Sequence, residues 1–358
     1  MRIALREAAK GLGRTSPNPC VGAVIVKEGE ILAKGYHKKA GTPHAEINAL
    51  RKAGKKAAGG TMYVTLEPCN HTGRTPPCTE AILAAGINRV VIGMDDPNPS
   101  VAGKGGSYLQ DKGVVVTSNI LAERCRRLNY GFIKHITTGV PWVIMKAGVS
   151  LDGRIATHTG HSKWITCEKS RRQVHELRHR ADAILVGIAT VEADNPDLTA
   201  RLPGKKGIDP LRVILDSELR IKPEARVLKH ESGAPTWIFC RRNASAEKIE
   251  ILKEQGAKVF KVATGEDGRL SLREILAKLG KEQITSVLVE GGGIVHASFL
   301  RQGLYDQAYI FVAPVFVGGD GTPLVQAMGV EKVDLAPHFI TTRTRRFDND
   351  VLIEGLFE

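Results

Sequence analysis

The chain has no run near the roughly 20 uninterrupted apolar residues needed to cross a bilayer. Its first apolar stretch is broken at once by Arg2, Arg6, Glu7 and Lys10, so no secretory signal is expected. A cytoplasmic protein with no membrane partner is expected. Aromatic residues are scarce, at 5%, and leave no aromatic-rich platform on which nucleic-acid bases would stack. Cysteine is sparse too: six in 358 residues do not make a disulfide framework. Cys20, Cys125, Cys167 and Cys240 stand alone and read as small apolar residues. Internal repeats and low-complexity segments are also absent.

What is present is ordinary in bulk. Hydrophobic content of 42% and charged content of 25% sit near the averages for globular proteins. A chain of 358 residues suits two domains, each able to bury its own core. Lys and Arg number 51 against 38 Asp and Glu, a formal +13. Nucleic-acid binding would need that excess focused in one patch. Here it is scattered, with short clusters such as Arg124, Arg126, Arg127 and Arg343, Arg345, Arg346. Small anions, such as phosphate esters or a phosphorylated dinucleotide, suit such a surface equally well, and no nucleic-acid partner is expected.

Apolar strands alternate with amphipathic helices, which implies an α/β architecture in both halves. In the first half, strands are expected at Val21–Val26, Ile31–Tyr36, Met62–Leu66, Val90–Gly93 and Val114–Val116. Helices are expected at His44–Lys55, Cys78–Ala85 and Ala122–His135. Thr137-Thr138-Gly139-Val140-Pro141 breaks the pattern, giving domains of 1–139 and 140–358. The second half is expected to carry strands at Trp142–Ala147, Ala183–Val186, Arg212–Leu215, Thr236–Cys240, Lys258–Lys261, Ser286–Val289 and Tyr309–Val312. Its helices are expected at Lys169–Arg180, Ala246–Gln255, Leu272–Leu279 and Val295–Arg301. The halves are unlike each other, so different tasks are expected of them.

Thr42-Pro43-His44-Ala45-Glu46 opens a helix, with Thr42 placed to cap it and Pro43 suited to the first turn. Residues two apart do not share a face of a regular helix, so His44 and Glu46 can converge only at its open end. Leu66-Glu67-Pro68-Cys69 follows a strand, and Cys78 starts the next helix, where the N-terminus favours a thiolate. One histidine and two cysteines make three zinc ligands and leave the fourth tetrahedral position for water, whose pKa the metal lowers. Glu46 then shuttles protons from water to a departing amine. Taken singly, each residue would be a cap or a buried apolar group. In this order they match the H-x-E then P-C pattern of zinc-dependent nucleobase deaminases. Many of those have C-x-x-C, whereas eight residues, Asn70 to Pro77, separate the cysteines here.

The runs Thr65–Cys69 and His71–Cys78, with Pro17-Asn18-Pro19, His44-Ala45-Glu46 and Asp95–Pro99, carry a family resemblance. So do Lys146–Arg154 and Thr190–Pro196 in the second half. The chain resembles the bifunctional diaminohydroxyphosphoribosylaminopyrimidine deaminase and 5-amino-6-(5-phosphoribosylamino)uracil reductase family of riboflavin biosynthesis over nearly its whole length. The resemblance implies a cytidine-deaminase-like α/β/α domain followed by a dihydrofolate-reductase-like α/β domain, often assembled as a homo-oligomer. It implies zinc on His44, Cys69 and Cys78, with Glu46 catalytic. Asn18, His37, His71, Arg74, Asp96 and Asn98 would line the substrate pocket, although Asn18 and Asn98 also suit turns beside proline.

Glu290-Gly291-Gly292-Gly293 precedes a helix, where glycines let a phosphate approach backbone N–H groups. Such a run is also found in plain turns. His296 stands where G-x-G-x-x-G needs its last glycine, so a dinucleotide-binding Rossmann fold is not expected. The resemblance instead implies NADPH held by Ala147, Trp164, Thr190, Asp194, Ser217 and Gly291, Gly292 and Gly293. It implies substrate contacts at Ser162, Arg178, Leu198, Arg201 and Glu290. Arg178 and Arg201 are sensible phosphate partners, although most such arginines are only solvated. Asp152 is a candidate proton donor, with a turn at Leu151-Asp152-Gly153 as the alternative.

Two other functions compete. A zinc-dependent nucleic-acid base deaminase would use the same metal chemistry but leaves the second half unexplained; salt-sensitive deamination of a polynucleotide would mark it. A non-catalytic zinc-binding interaction protein leaves Glu46 and the open ligand position unexplained; undiminished biological activity of Glu46→Ala would mark it.

Overall fold

Strand β1 (Gly22–Lys27) is the antiparallel member of a sheet that is otherwise parallel on one side, pairing with β2 (Glu30–Tyr36) and β3 (Thr61–Val64). Parallel β4 (Arg89–Ile92) and β5 (Val115–Thr117) complete the order β2-β1-β3-β4-β5. The computed structural model describes residues 1–70, 76–98, 104–204, 207–229, 232–265 and 267–358. It divides into two units, Met1–Val140 and Pro141–Glu358.

The first unit's helices are α1 (Arg2–Ala8), α2 (Ala45–Ala53), α3 (Cys78–Ala84), α4 (Lys104–Asp111), α5 (Ala122–Leu128) and α6 (Tyr130–Thr138). Helices α1 and α2 pack on β1 and β2, and α4 packs on β5 and α3. Ile25, Met62, Ile82, Ile92 and Leu109 are fully buried between them. The single helix expected over Ala122–His135 is two, because Asn129 has φ −124° and ψ 15°. Its side chain takes the Cys20 N–H at 2.7 Å and donates to the Cys20 carbonyl at 3.1 Å, a tertiary tie that outweighs helical continuity.

The cap at Thr42 also needs correction. Helix α2 starts at Ala45 with His44 as its N-cap, while the Thr42 hydroxyl donates to the Lys39 carbonyl at 2.7 Å. Helix α4 gave no sequence signal, since Gly105 and Gly106 are poor helix formers. Close packing explains Gly105: a Cβ there would lie 1.9 Å from the Pro68 carbonyl oxygen.

The second unit is built on nine strands. They are β6 (Trp142–Val149), β8 (Ala183–Gly187), β9 (Leu211–Leu215), β10 (Thr236–Arg241), β11 (Lys258–Val262), β12 (Ser286–Val289), β13 (Gln307–Val312), β15 (Thr341–Phe347) and β16 (Asp350–Leu356). Between them lie short β7 (Arg154–Ala156) and β14 (Thr322–Pro323), which pair with each other. The large sheet has the order β11-β10-β9-β8-β12-β6-β13-β16-β15, parallel through β13 and antiparallel at β16 and β15.

Its helices are α7 (Glu168–Arg180), α8 (Ile188–Asp194), α9 (Arg226–Lys229), α10 (Ala246–Glu254), α11 (Leu272–Lys281) and α12 (Gly293–Arg301). Strand β8 is buried along its whole length, as expected of a strand covered on both faces. Fully buried Phe239, Phe299 and Phe311 each contribute about 1.5–3 kcal/mol by leaving water. The α/β class expected from the alternation of elements is what both units have. Strand β15 was silent because its Thr and Arg residues are exposed on both faces, leaving no hydrophobic period. Among the described residues, no helix is long and apolar enough to cross a membrane.

Gly35 in β2 is a contact on which the first unit turns. A Cβ there would meet the Ala45 carbonyl oxygen at 2.3 Å and the Ala49 nitrogen at 2.5 Å, both backbone atoms of α2. Gly35→Ala should therefore push α2 from the sheet and cost about 1–3 kcal/mol, the usual penalty of overpacking. Urea unfolding of the first unit measures it, and an unchanged midpoint would contradict the close approach.

Candidate active sites

Helix α2 begins where the chain turns out of extended backbone at His44 (φ −67°, ψ 167°), so His44 sits at the helix mouth and Glu46 in its first turn. Cys69 follows β3 by a short loop, and Cys78 is the first residue of α3. The His44 Nδ1 and the two sulfurs lie within 4.8 Å of one another. His44 Nδ1 is 3.2 Å from the Cys78 sulfur and 3.6 Å from the Cys69 sulfur. The Cys78 backbone N–H points at the Cys69 sulfur at 3.4 Å. One imidazole and two sulfurs at these separations are a donor set that fits tetrahedral zinc with a position left open.

Hydrogen bonding from Cys78, aided by His44, holds the Cys69 thiol down to about 4. The Cys78 thiol is pushed up, because its proton is shared with Cys69. Glu46 is buried, and burial raises its carboxyl above the ordinary range against the opposing pull of His44. A raised carboxyl beside a metal site is suited to take and return a proton near neutrality. His37 stands edge-on to His44, ring centroids 5.6 Å apart. Its Nδ1 is 3.3 Å from the Pro43 carbonyl and its Nε2 is 3.2 Å from Asn18 Nδ2. Burial lowers the His37 pKa. Asn18 and His37 are thus brought to the metal ligands.

Asp96 and Asn98 form a turn, the Asn98 N–H donating to Asp96 Oδ1 at 2.9 Å. Both His71 and Arg74 lie outside the described residues.

In the second unit a cavity of about 540 Å³ opens at the N-terminus of α12, within the range of small-molecule sites. Ser162, Thr190, Asp194, Ser217 and the Gly291, Gly292, Gly293 run line it. The glycines are required there. A Cβ on Gly293 would lie 2.6 Å from the Pro323 carbonyl, one on Gly291 would lie 3.1 Å from Gly187 N, and Gly292 has φ +52°. A backbone bared in this way at a helix start fits the phosphates of a dinucleotide. Arg220 and Arg269, which the sequence did not single out, also face the cavity.

Ala147, Trp164, Arg178, Leu198, Arg201 and Glu290 are not among the residues that line it. Ala147 and Leu198 are buried. Trp164 is 69% exposed, with the Arg171 guanidinium 4.5 Å from its ring centroid. Arg178 grips Glu290 through two bonds of 2.7 and 2.8 Å and reaches the Thr199 carbonyl at 3.1 Å. Lys146 approaches the same carboxylate at 3.4 Å. The Arg201 N–H donates to His175 Nδ1 at 3.2 Å, and its guanidinium pairs with Asp197 at 3.3 Å. Arg178, Glu290 and the 198–201 segment therefore form one polar cluster.

Burial would raise Glu290, but the charges of Arg178 and Lys146 outweigh it and hold it at about 2. His296 is buried against the Tyr305 hydroxyl at 2.7 Å, and burial with the Lys146 charge brings it down to about 4. Of the two readings of Asp152, the turn is what the structure has. Its carboxylate accepts from the Ser150 hydroxyl at 2.6 Å and the Gly318 N–H at 2.7 Å, which lower it to about 2. A group so held is a poor proton donor.

A His-Cys-Cys triad that fits zinc beside a buried glutamate, and a separate glycine-walled cavity in a second α/β unit, suit a two-activity enzyme that joins a deaminase to a reductase. Residues 1–94 match the cytidine and deoxycytidylate deaminase zinc-binding region, and residues 141–353 match the RibD C-terminal domain. The chain is 43% identical to the riboflavin biosynthesis protein RibD of Bacillus amyloliquefaciens, over 99% of this chain and 95% of that one. A solved RibD of Acinetobacter baumannii superposes with a TM-score of 0.89 at 36% identity, covering 100% of this chain and 97% of that one. The diaminohydroxyphosphoribosylaminopyrimidine deaminase/5-amino-6-(5-phosphoribosylamino)uracil reductase of Thermotoga maritima gives 0.87 at 39%, with the same coverage. The chain belongs to the RibD family. It is a bifunctional enzyme of riboflavin biosynthesis that uses zinc in its deaminase domain and NADPH in its reductase domain.

The Glu290 cluster has a measurable sign. Its pKa falls from the ordinary 4.5 to about 2 on folding. The ion pair therefore contributes fully above about pH 4.5 and is lost as pH falls towards 2. Arg178→Ala leaves a buried carboxylate with Lys146 alone and should cost about 3–5 kcal/mol at neutral pH. The difference between the two proteins should narrow as pH falls towards 2, where the wild type loses the ion pair as well. Urea midpoints of the second unit between neutral and acid pH test this, and coincident profiles would contradict it.

Proposed function

We propose that the first unit deaminates 2,5-diamino-6-(5-phosphoribosylamino)pyrimidin-4(3H)-one and that the second reduces the ribosyl group of the product to ribityl phosphate. The observation that carries this reading is the convergence of His44, Cys69 and Cys78 within 4.8 Å beside buried Glu46. When bound, zinc supplies the acidity that makes water nucleophilic at neutral pH, and NADPH supplies the hydride. His44, Cys69 and Cys78 hold the metal. Glu46 takes a proton from the attacking water and returns it to the exocyclic amine, which leaves as ammonia. Asn18, His37, Asp96 and Asn98 orient the pyrimidine, joined by His71 and Arg74, which belong to the same sequence motif.

In the second unit Gly291, Gly292 and Gly293 receive the dinucleotide phosphates. Ala147, Trp164, Thr190, Asp194 and Ser217 complete the cofactor contacts. Ser162, Arg178, Leu198, Arg201 and Glu290 hold the substrate, with Arg178 and Arg201 as cations for its phosphate. Reduction at the first carbon of the opened sugar would require these contacts to present that carbon to the hydride donor.

A cytoplasmic location and a homo-oligomer belong to the same proposal. All six cysteines are free, which suits a reducing compartment. The long connection after β13 presents Phe316, Val333 and Leu335 at 76%, 92% and 67% exposure, apolar surface suited to burial by a second copy. Light scattering should give a multiple of 38.7 kDa, and Phe316→Asp should shift it towards that mass. A monomeric wild type would end this part of the reading.

Glu46→Gln should lower ammonia release by about a hundredfold or more, while zinc content and NADPH-dependent reduction of the deaminated substrate stay as in the wild type. Chelation should do the same to ammonia release. Undiminished ammonia release by the variant would sink the proton-shuttle role, and no ammonia from the zinc-loaded wild type would sink the substrate assignment.

A further inference from the structure

Glu67 stands two residues before Cys69, and the proposed chemistry gives it no task. It is 5% exposed, and an acidic side chain is seldom buried without partners. Its carboxyl group meets three backbone donors. Oε1 accepts the N–H of Gly105 at 3.0 Å and of Gly106 at 2.9 Å, and Oε2 accepts the N–H of Asp96 at 3.2 Å.

Neighbouring residues fasten the same joint. The Glu67 N–H donates to the Met94 carbonyl at 3.0 Å. Gly105 lies against the Pro68 carbonyl so closely that a Cβ would come within 1.9 Å. The Asn70 amide donates to the Lys104 carbonyl at 3.4 Å and accepts from the Thr79 hydroxyl at 2.8 Å. Glu67 is therefore the side chain that joins the cysteine-bearing stretch to both the Asp96–Asn98 turn and the start of α4. Its two oxygens face donors on two different segments. A glutamine would offer an acceptor to only one of them and turn its NH₂ group towards the other.

We propose that Glu67 is a positioning residue of the deaminase, setting the Asp96–Asn98 turn against Cys69 and so governing pyrimidine binding rather than proton transfer at Glu46. This rests on the reading of Asp96 and Asn98 as substrate contacts. The test compares Glu67→Gln, Gly105→Ala and Asn98→Ala in the zinc-loaded full chain, by deaminase kinetics, zinc content, hydrogen exchange and NADPH-dependent reduction as an internal control.

Glu67→Gln should raise the deaminase KM about tenfold, the equivalent of one lost buried hydrogen bond. Its kcat, zinc content and reductase rate should be unchanged, and the amides of Asp96, Gly105 and Gly106 should exchange faster. A folded Glu67→Gln protein with the wild-type KM overturns the proposal. So does one whose kcat and zinc fall together, since Glu67 would then be holding the metal ligand. If Glu67→Gln does not fold, Gly105→Ala decides, because its methyl group presses the same joint apart: a raised KM with zinc retained supports the role, and a wild-type KM overturns it. Asn98→Ala with a wild-type KM removes the substrate reading of the turn, and the proposal with it, even where Glu67→Gln loosens the three amides.

Discussion

Three donor atoms carried on three separate segments meet within 4.8 Å only when tertiary contacts seat the backbones that carry them. His44 comes from a helix mouth, Cys69 from a loop beyond β3, and Cys78 from the first residue of α3. Nothing local in the sequence fixes their separation. The segments are seated by tertiary packing, including that of α2 on Gly35 and of α4 on the Pro68 carbonyl. Both are backbone-to-backbone contacts with no room for a methyl group. Given those contacts, burial of Glu46 and the raised pKa of its carboxyl follow as consequences.

The second unit reaches its cavity by a related route. Strands β8 and β12 run parallel and adjacent, so their carboxyl ends deliver Gly187 and Glu290 to the same edge. There Gly291 and Gly293 close against neighbouring backbone, and the wall they form is peptide rather than side chain. A phosphate is best met by such a surface. The polar cluster of Arg178, Lys146 and Glu290 is a separate structure, held together by charge in a buried setting.

Much of this was legible in the sequence, for reasons that differ between the parts. Buried parallel strands such as β8 and β12 are continuous apolar runs, and amphipathic α7 and α11 have strong periodicity, so their positions were read to within two residues. His44, Glu46, Cys69 and Cys78 were legible as a set because few roles other than metal chemistry need those residue types in that order. What failed to show was whatever depends on tertiary contact. Asn129 breaks a helix by binding Cys20, far away in the chain. Helix α4 survives two glycines because one of them packs on Pro68. Strand β15 pairs with β16 at the sheet edge while exposing nearly all its side chains, so no pattern announces it. Glu67 was visible only as part of a motif, since the backbone N–H groups of Asp96, Gly105 and Gly106 that it accepts leave no trace in residue identity.

If Arg178 receives the substrate phosphate as proposed, its pairing with Glu290 shapes how that anion can approach. A guanidinium has five N–H donors. Arg178 commits three of them, two to Glu290 and one to the Thr199 carbonyl. Two N–H donors remain uncommitted. An incoming phosphate need not break the pair, but it can approach only along the directions that those two donors leave. In that role Arg178 would act less as a free positive charge than as a template with a fixed orientation, so that a ligand of correct charge presented at the wrong angle would gain little from it.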